Sequence, residues 1–267
     1  MSERDESRES GRTLIPGLAP GVSYASRLSA RSALYNDLRI LLDGQDEALG
    51  SKDYRALVVE ENCLGRASAS ARRKTWEELS VRYRLDAMDP LFAAFWAEWK
   101  ESGSEAERGL TAYILFALND RLVADLGLRW LFPRLRGAPA NLDPSDVRAF
   151  LEGTVRSHPE VRKWSEATRE AVARKYCTSI RDFGLAKGGA RKVTIRPALY
   201  GAPTRLLIRA LRLIDTPLFE IVQAPAFRLL GIDAHEVVDA LGELNRSDAL
   251  HFRIQGDVVE LDLPEAA

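Results

Sequence analysis

The side chains of this sequence whose types and spacing suit chemistry are cations. Between Gly65 and Arg84 stand Arg66, Arg72, Arg73, Lys74, Arg82 and Arg84, against Glu77 and Glu78. A guanidinium or ammonium on a helix face can neutralise a phosphate and release its counterion. A guanidinium can also bond phosphate oxygens or guanine edges in bidentate fashion. A second stretch, Asp146 to Arg196, has twelve basic residues and six acidic ones. The stretch Asp233 to Ala267 reverses the sign, with two basic and nine acidic. The formal net charge over 267 residues is only -1, so the asymmetry is local and fits a molecule offering one face to an anion. Arginine outnumbers lysine 31 to 7, the bias expected where planar donors are useful.

Helical phase selects which cations point outward. At 100° per residue, a helix opening at Ser68 puts Ala69, Trp76, Leu79 and Tyr83 on one stripe, expected to face the core. Ser70, Arg73, Lys74, Glu77 and Arg84 fall outside it. Arg72 falls near it and is expected to pair with an acid such as Glu60 or Glu61. The first candidate DNA-contacting set is therefore Arg66, Ser68, Ser70, Arg73, Lys74 and Arg84. In the helix opening at Ser165, Thr168, Val172, Tyr176, Ile180 and Phe183 share one face. Arg174, Thr178 and Arg181 lie opposite, a surface suited to a groove. Lys187, Arg191 and Lys192 follow on a turn and strand, where a wing reaches phosphates.

Nothing comparable exists for catalysis. His158 precedes Pro159 and has no evident serine or cysteine partner. Glu60 and Glu61 are helix neighbours and point about 100° apart. No Walker sequence occurs, and Gly188-Gly189 is too little for a nucleotide loop. Cys63 and Cys177 are far apart, no CxxC occurs, and His158, His235 and His251 are remote from both. Both cysteines read as small buried or half-buried residues. No enzymatic activity, cofactor or metal is expected.

The elements that must position these cations are mostly helical. Residues 1–22 read as a flexible tail ending in LIPGLAPG. A helix is expected from about Arg27 to Leu42. Ser51, Ser68, Asp89-Pro90, Asp143-Pro144 and Ser165 are candidate helix starts. Ala106 to Leu126 reads as a long buried helix, and Pro133 as the stop of the next. GAPANLD, residues 137–143, has linker composition. LHFRIQ, Gly256-Asp257 and VVELDL read as a hairpin. The expected fold is mainly α: a helical domain 23–137 with a helix-turn-helix-like element, and a winged-helix-like domain 143–267 with short β-hairpins. The longest apolar run, Leu110 to Leu118, is too short to span a bilayer. The charged opening SERDESRESGR does not read as a secretory signal. A cytoplasmic location without membrane contact is expected.

Four runs carry a resemblance: YASRLSARSALYNDLRILL, VVEENCLGRASASARR, WSEATREAVARKYCTSIRDFGL and RIQGDVVELDLP. Together, from about Tyr24 to Pro264, they resemble the BrxA family of the BREX (bacteriophage exclusion) systems of bacteria. The most specific parts are Glu60 to Ser68 and Trp164 to Gly184. The resemblance implies a small helical protein that binds double-stranded DNA. It also implies action beside a methyltransferase, an ATPase and a phosphatase-like component. The alternative is a helical adaptor that docks those subunits without DNA, with Phe92, Phe95, Trp96 and Trp99 as interface anchors.

Overall fold

The computed structural model of the chain describes residues 13–256 and 258–264. Helices begin where a short polar side chain can bond the first free amides. Ser68 Oγ accepts from the Ala71 amide (3.2 Å) and opens α3, Ala69–Tyr83. Asp89 accepts from Leu91 and Phe92 (2.9 and 3.0 Å) and opens α4, Pro90–Glu101. Asp143 and Ser165 do the same for α8, Pro144–Gly153, and α9, Glu166–Asp182. Ser51, expected as a cap, is instead the first residue of α2, Ser51–Arg55, which widens into a π turn over Ala56–Glu60.

Two expected helices divide. Arg27–Ser29 is a single 3-10 turn, and α1 begins only at Tyr35, running to Asp43. The break lies at Ala33 and Leu34. The Ala33 amide donates to Ser179 Oγ (2.8 Å) and its carbonyl accepts from Tyr83 Oη (2.7 Å), so neither group is free for a continuous helix. Leu34 takes a left-handed φ of 59°. The long buried helix also divides. Glu105–Asn119 forms α5, and Asp120 then caps α6, Arg121–Asp125. A π turn, Leu126–Leu131, runs on into α7, Phe132–Arg136, and Pro133 sits in its first turn rather than ending a helix.

Every residue of α5 from Gly109 to Asn119 is buried. Around it pack α3, α4 and α10, Gly201–Leu213. Phe92, Phe95, Trp96 and Trp99 on α4 are buried in this core, so they are not surface anchors. Residues 13–22, read as part of a flexible tail, pack on it: Ile15 is buried and the Gly17 amide donates to the Leu118 carbonyl (2.8 Å). A Cβ at Gly17 would stand 2.1 Å from the Ala117 carbonyl, so only glycine allows the approach. Residues 1–12 lie outside the described residues. The buried apolar cluster extends from Ile15 to Leu261.

The stretch 137–143 is tied down. The Leu142 amide donates to the Lys192 carbonyl, and the Thr194 amide to the Ala140 carbonyl, each over 2.9 Å. Asn141 thereby bridges to Val193, the first residue of β2, Val193–Thr194, which pairs antiparallel with β1, Ala186–Lys187. The chain closes with α11, Leu218–Ile221, α12, Val237–Arg246, and a second hairpin of β3, His251–Gln255, and β4, Val258–Asp262. Phe252 and Leu261 face each other across it and turn inward. Asp257 of the expected turn lies outside the described residues. Among the described residues, no helix is long and apolar enough to cross a membrane.

Candidate nucleic-acid interface

The first cationic element is α2 with its π turn, an eight-residue connection over 61–68, and α3 packed back against the π turn. Asn62 shapes the connection: its side chain accepts from the Arg66 amide (2.7 Å) and donates to the Arg66 carbonyl (3.1 Å). Asn62 and Gly65 both adopt positive φ, so the chain reverses tightly here. The Arg66 guanidinium is turned inward to the Asp37 carboxylate.

On α3 the buried stripe is Thr75, Leu79, Arg82 and Tyr83, with Trp76 half-buried; Ala69, expected on it, is exposed. The stripe starts one turn later because the first turn overhangs the connection instead of the core. Arg72 is half-buried and Nη1 donates to the Glu60 backbone carbonyl (3.3 Å), not to a carboxylate. The Glu60 carboxylate is held by Arg55 (2.6 Å). Ser70, Arg73 and Lys74 are exposed, and neither cation has an ion pair among the described residues. Arg84, placed on the outer face by simple helical phase, ends α3 at a left-handed φ of 51°. Its guanidinium there reaches Asp89 (3.0 Å) and the Leu14 carbonyl (3.2 Å).

The second element is α8, α9 and the hairpin β1–β2. Its core face is Val172, Tyr176, Ile180 and Phe183 with Ala173 and Cys177, while Thr168 is only half-buried. Arg174 is 63% exposed, with Nε 3.7 Å from Glu170. Thr178 turns its hydroxyl to the Arg174 carbonyl (3.0 Å). Arg181 is neutralised by its neighbour Asp182 (2.6 Å). Lys187 is exposed, and Arg191 is exposed with Nε donating to Asn141 Oδ1 (2.8 Å). Lys192 is half-buried. The tip requires Gly188: its φ is +106°, and a Cβ there would stand 2.1 Å from the Arg191 carbonyl.

The two elements meet at the 3-10 turn, through side chains that helical phase alone did not single out. Arg82 is buried, is held by Glu78, and donates to the carbonyls of Arg27 (3.3 Å) and Arg31 (3.0 Å). Lys175 donates to the carbonyls of Ser29 (2.7 Å) and Ala30. One signal was present in the sequence. Arg82 lies three residues from Leu79 on the apolar ridge, and a cation so placed must find buried acceptors.

Fold and surface together define a mainly helical protein that presents outward-facing cations on two helical elements, the second followed by a short hairpin. The family model BrxA matches residues 22–211, and the chain belongs to the BrxA family. It is thus a component of a BREX bacteriophage-defence system. The matched residues end within α10, so the closing hairpin lies beyond them, short of the extent to Pro264 that the resemblance implied. No curated protein matches the chain.

Proposed function

We propose that the chain is a non-catalytic accessory protein that binds double-stranded DNA in bacteriophage defence. The observation that carries this reading is the state of Arg73 and Lys74. Cations that serve the fold here are held by protein oxygens: Arg66 by Asp37, Arg72 by Glu60, Arg82 by Glu78, Arg84 by Asp89 and Arg181 by Asp182. Arg73 and Lys74 stand side by side in solvent without such a partner among the described residues. Exposed cations on a rigid helix suit phosphates, which fix a protein on a duplex without reading its sequence.

The second element supports the same reading. A β-bridge at Asn141, two helices and a hairpin follow one another in the order of a winged helix. In that arrangement α9 is the helix offered to the groove and residues 188–192 are the wing. Ser70, Arg73, Lys74, Arg174, Lys187, Arg191 and Lys192 then face the duplex. Arg66, Ser68, Arg84, Thr178 and Arg181 hold the surface in shape. The adaptor reading loses its aromatic anchors, which are core residues. A gel-shift titration of the purified chain with duplex DNA at two salt concentrations tests the proposal. Binding that weakens steeply with salt is expected, and no binding even at low salt refutes it.

A further inference from the structure

The segment between the two cationic elements carries cations of its own. Four donor bonds from below hold the backbone of residues 27–31: two from Arg82 on α3 and two from Lys175 on α9. Arg82 is 3% exposed and so spends its charge inside. With the carbonyls of this segment occupied, the Arg27 side chain is left exposed and that of Arg31 half-exposed. Neither has an ion pair among the described residues. Two carboxylates act on the group. Glu78 is bound to Arg82, and Asp120, which feels the charge of Arg27, caps α6. Burial, and then the charges of Arg174, Arg82 and Arg31, hold the Lys175 ammonium below the usual lysine range, with Glu78 opposing. At this junction Arg27, Arg31, Arg82 and Lys175 thus stand against Glu78 and Asp120, an excess of positive charge.

We infer that Arg27 and Arg31 form a phosphate-binding bridge at the junction of α3 and α9, where they take the backbone of a bound duplex. The inference rests on the DNA-binding reading above and adds two contacts that neither basic run contains. Arg82 and Lys175 are positioning residues. They fix the backbone that carries the two arginines and leave the guanidinium groups free for a ligand. A phosphodiester suits the site because its charge is permanent and its oxygens accept from a guanidinium in bidentate fashion.

The test is fluorescence anisotropy of the full chain with labelled duplexes of two unrelated sequences across a salt series. Arg27→Ala/Arg31→Ala is compared with the parent and with Arg27→Lys/Arg31→Lys. The alanine pair should weaken binding equally on both sequences. It should also lower the magnitude of the slope of log K against log salt by about 2, one per lost phosphate contact. The lysine pair should keep the parent slope, and the melting temperature should be unchanged in both. If the parent binds and the alanine pair binds with the same affinity and slope, the bridge is refuted while the DNA-binding reading stands. Weaker binding with an unchanged slope also overturns it, since charge would not be the cause. If the parent itself does not bind duplex, both fall together.

Discussion

Arg72 and Glu60 are joined through a guanidinium-to-carbonyl bond of 3.3 Å that pins the start of α3 to the π turn before it. Arg73, one residue on, points to solvent. Adjacent arginines thus have different work. Arg72→Ala should lower stability by about 1.5 kcal/mol, the worth of a hydrogen bond from a charged donor, and leave duplex binding unchanged. Urea unfolding together with anisotropy checks this. Lost binding with unchanged stability would mean that α3 is rotated relative to this account.

Gly188 and Gly189 give a matched pair at the hairpin tip. Gly188→Ala adds a Cβ 2.1 Å from the Arg191 carbonyl at a φ of +106°, whereas nothing lies within 4 Å of a Cβ at Gly189. Strain of about 1–3 kcal/mol is expected at the first and none at the second. Gly188→Ala should displace Lys187 and Arg191 and weaken duplex binding, while Gly189→Ala should bind as the parent. Equal behaviour of the two variants would count against the tip as a contact.

Glu98 is 1% exposed and bridges two arginines of α10, Arg205 (2.7 Å) and Arg209 (2.9 Å). Arg209 also donates to the Pro264 carbonyl (2.6 Å), so the acid helps anchor the closing hairpin. Glu98→Ala leaves buried guanidinium charge unpaired and should cost about 3–5 kcal/mol. Exposed Glu101, one turn on, should tolerate alanine within about 0.5 kcal/mol. The two unfolding curves decide.

Acid should loosen the packing around Tyr24. Tyr24 stacks on His158 with ring centroids 3.5 Å apart, and its hydroxyl donates to Asp125 (2.7 Å). Glu160 accepts from the Tyr24 amide and lies 3.0 Å from His158 Nδ1, while Asp125 is also paired with Arg121 (2.8 Å). Burial pushes the Glu160 carboxyl up, but the Tyr24 amide, its own amide and His158 outweigh it and hold it below its usual value. A lowered folded value gives stability that is complete above the unfolded value, about 4.3, and lost as pH falls through the folded one. The stability gap between the parent and Glu160→Gln should be widest at neutral pH and shrink as pH falls below the unfolded value and through the folded one. A gap that stays constant through the acid range would contradict this.

Much of this molecule was legible in its residues. Ser68, Asp89, Asp143 and Ser165 start helices because each can bond the amides that follow, a strictly local interaction. Phe252 and Leu261 alternate inward as a half-buried hairpin must. What escaped was non-local. The break before Tyr35 is made by Tyr83 and Ser179, distant in sequence, and the fate of Arg84 by Asp89 and Leu14. Helical phase found Arg73 and Lys74, but it could not foresee that Asp182 neutralises Arg181 or that Arg82 and Lys175 hold up a third segment.

In the proposed function, the exposed cations Arg73 and Lys74 on α3 grip duplex DNA through its phosphates. The most direct measurement is the slope of log K against log salt for the parent and for Arg73→Glu/Lys74→Glu, on two unrelated duplexes. A steep parent slope is expected, and for the variant weaker binding to both sequences alike with a slope shallower by about 2. Its melting temperature should be unchanged. A variant that binds with the parent's affinity and slope, or a loss confined to one of the two sequences, would contradict the proposal.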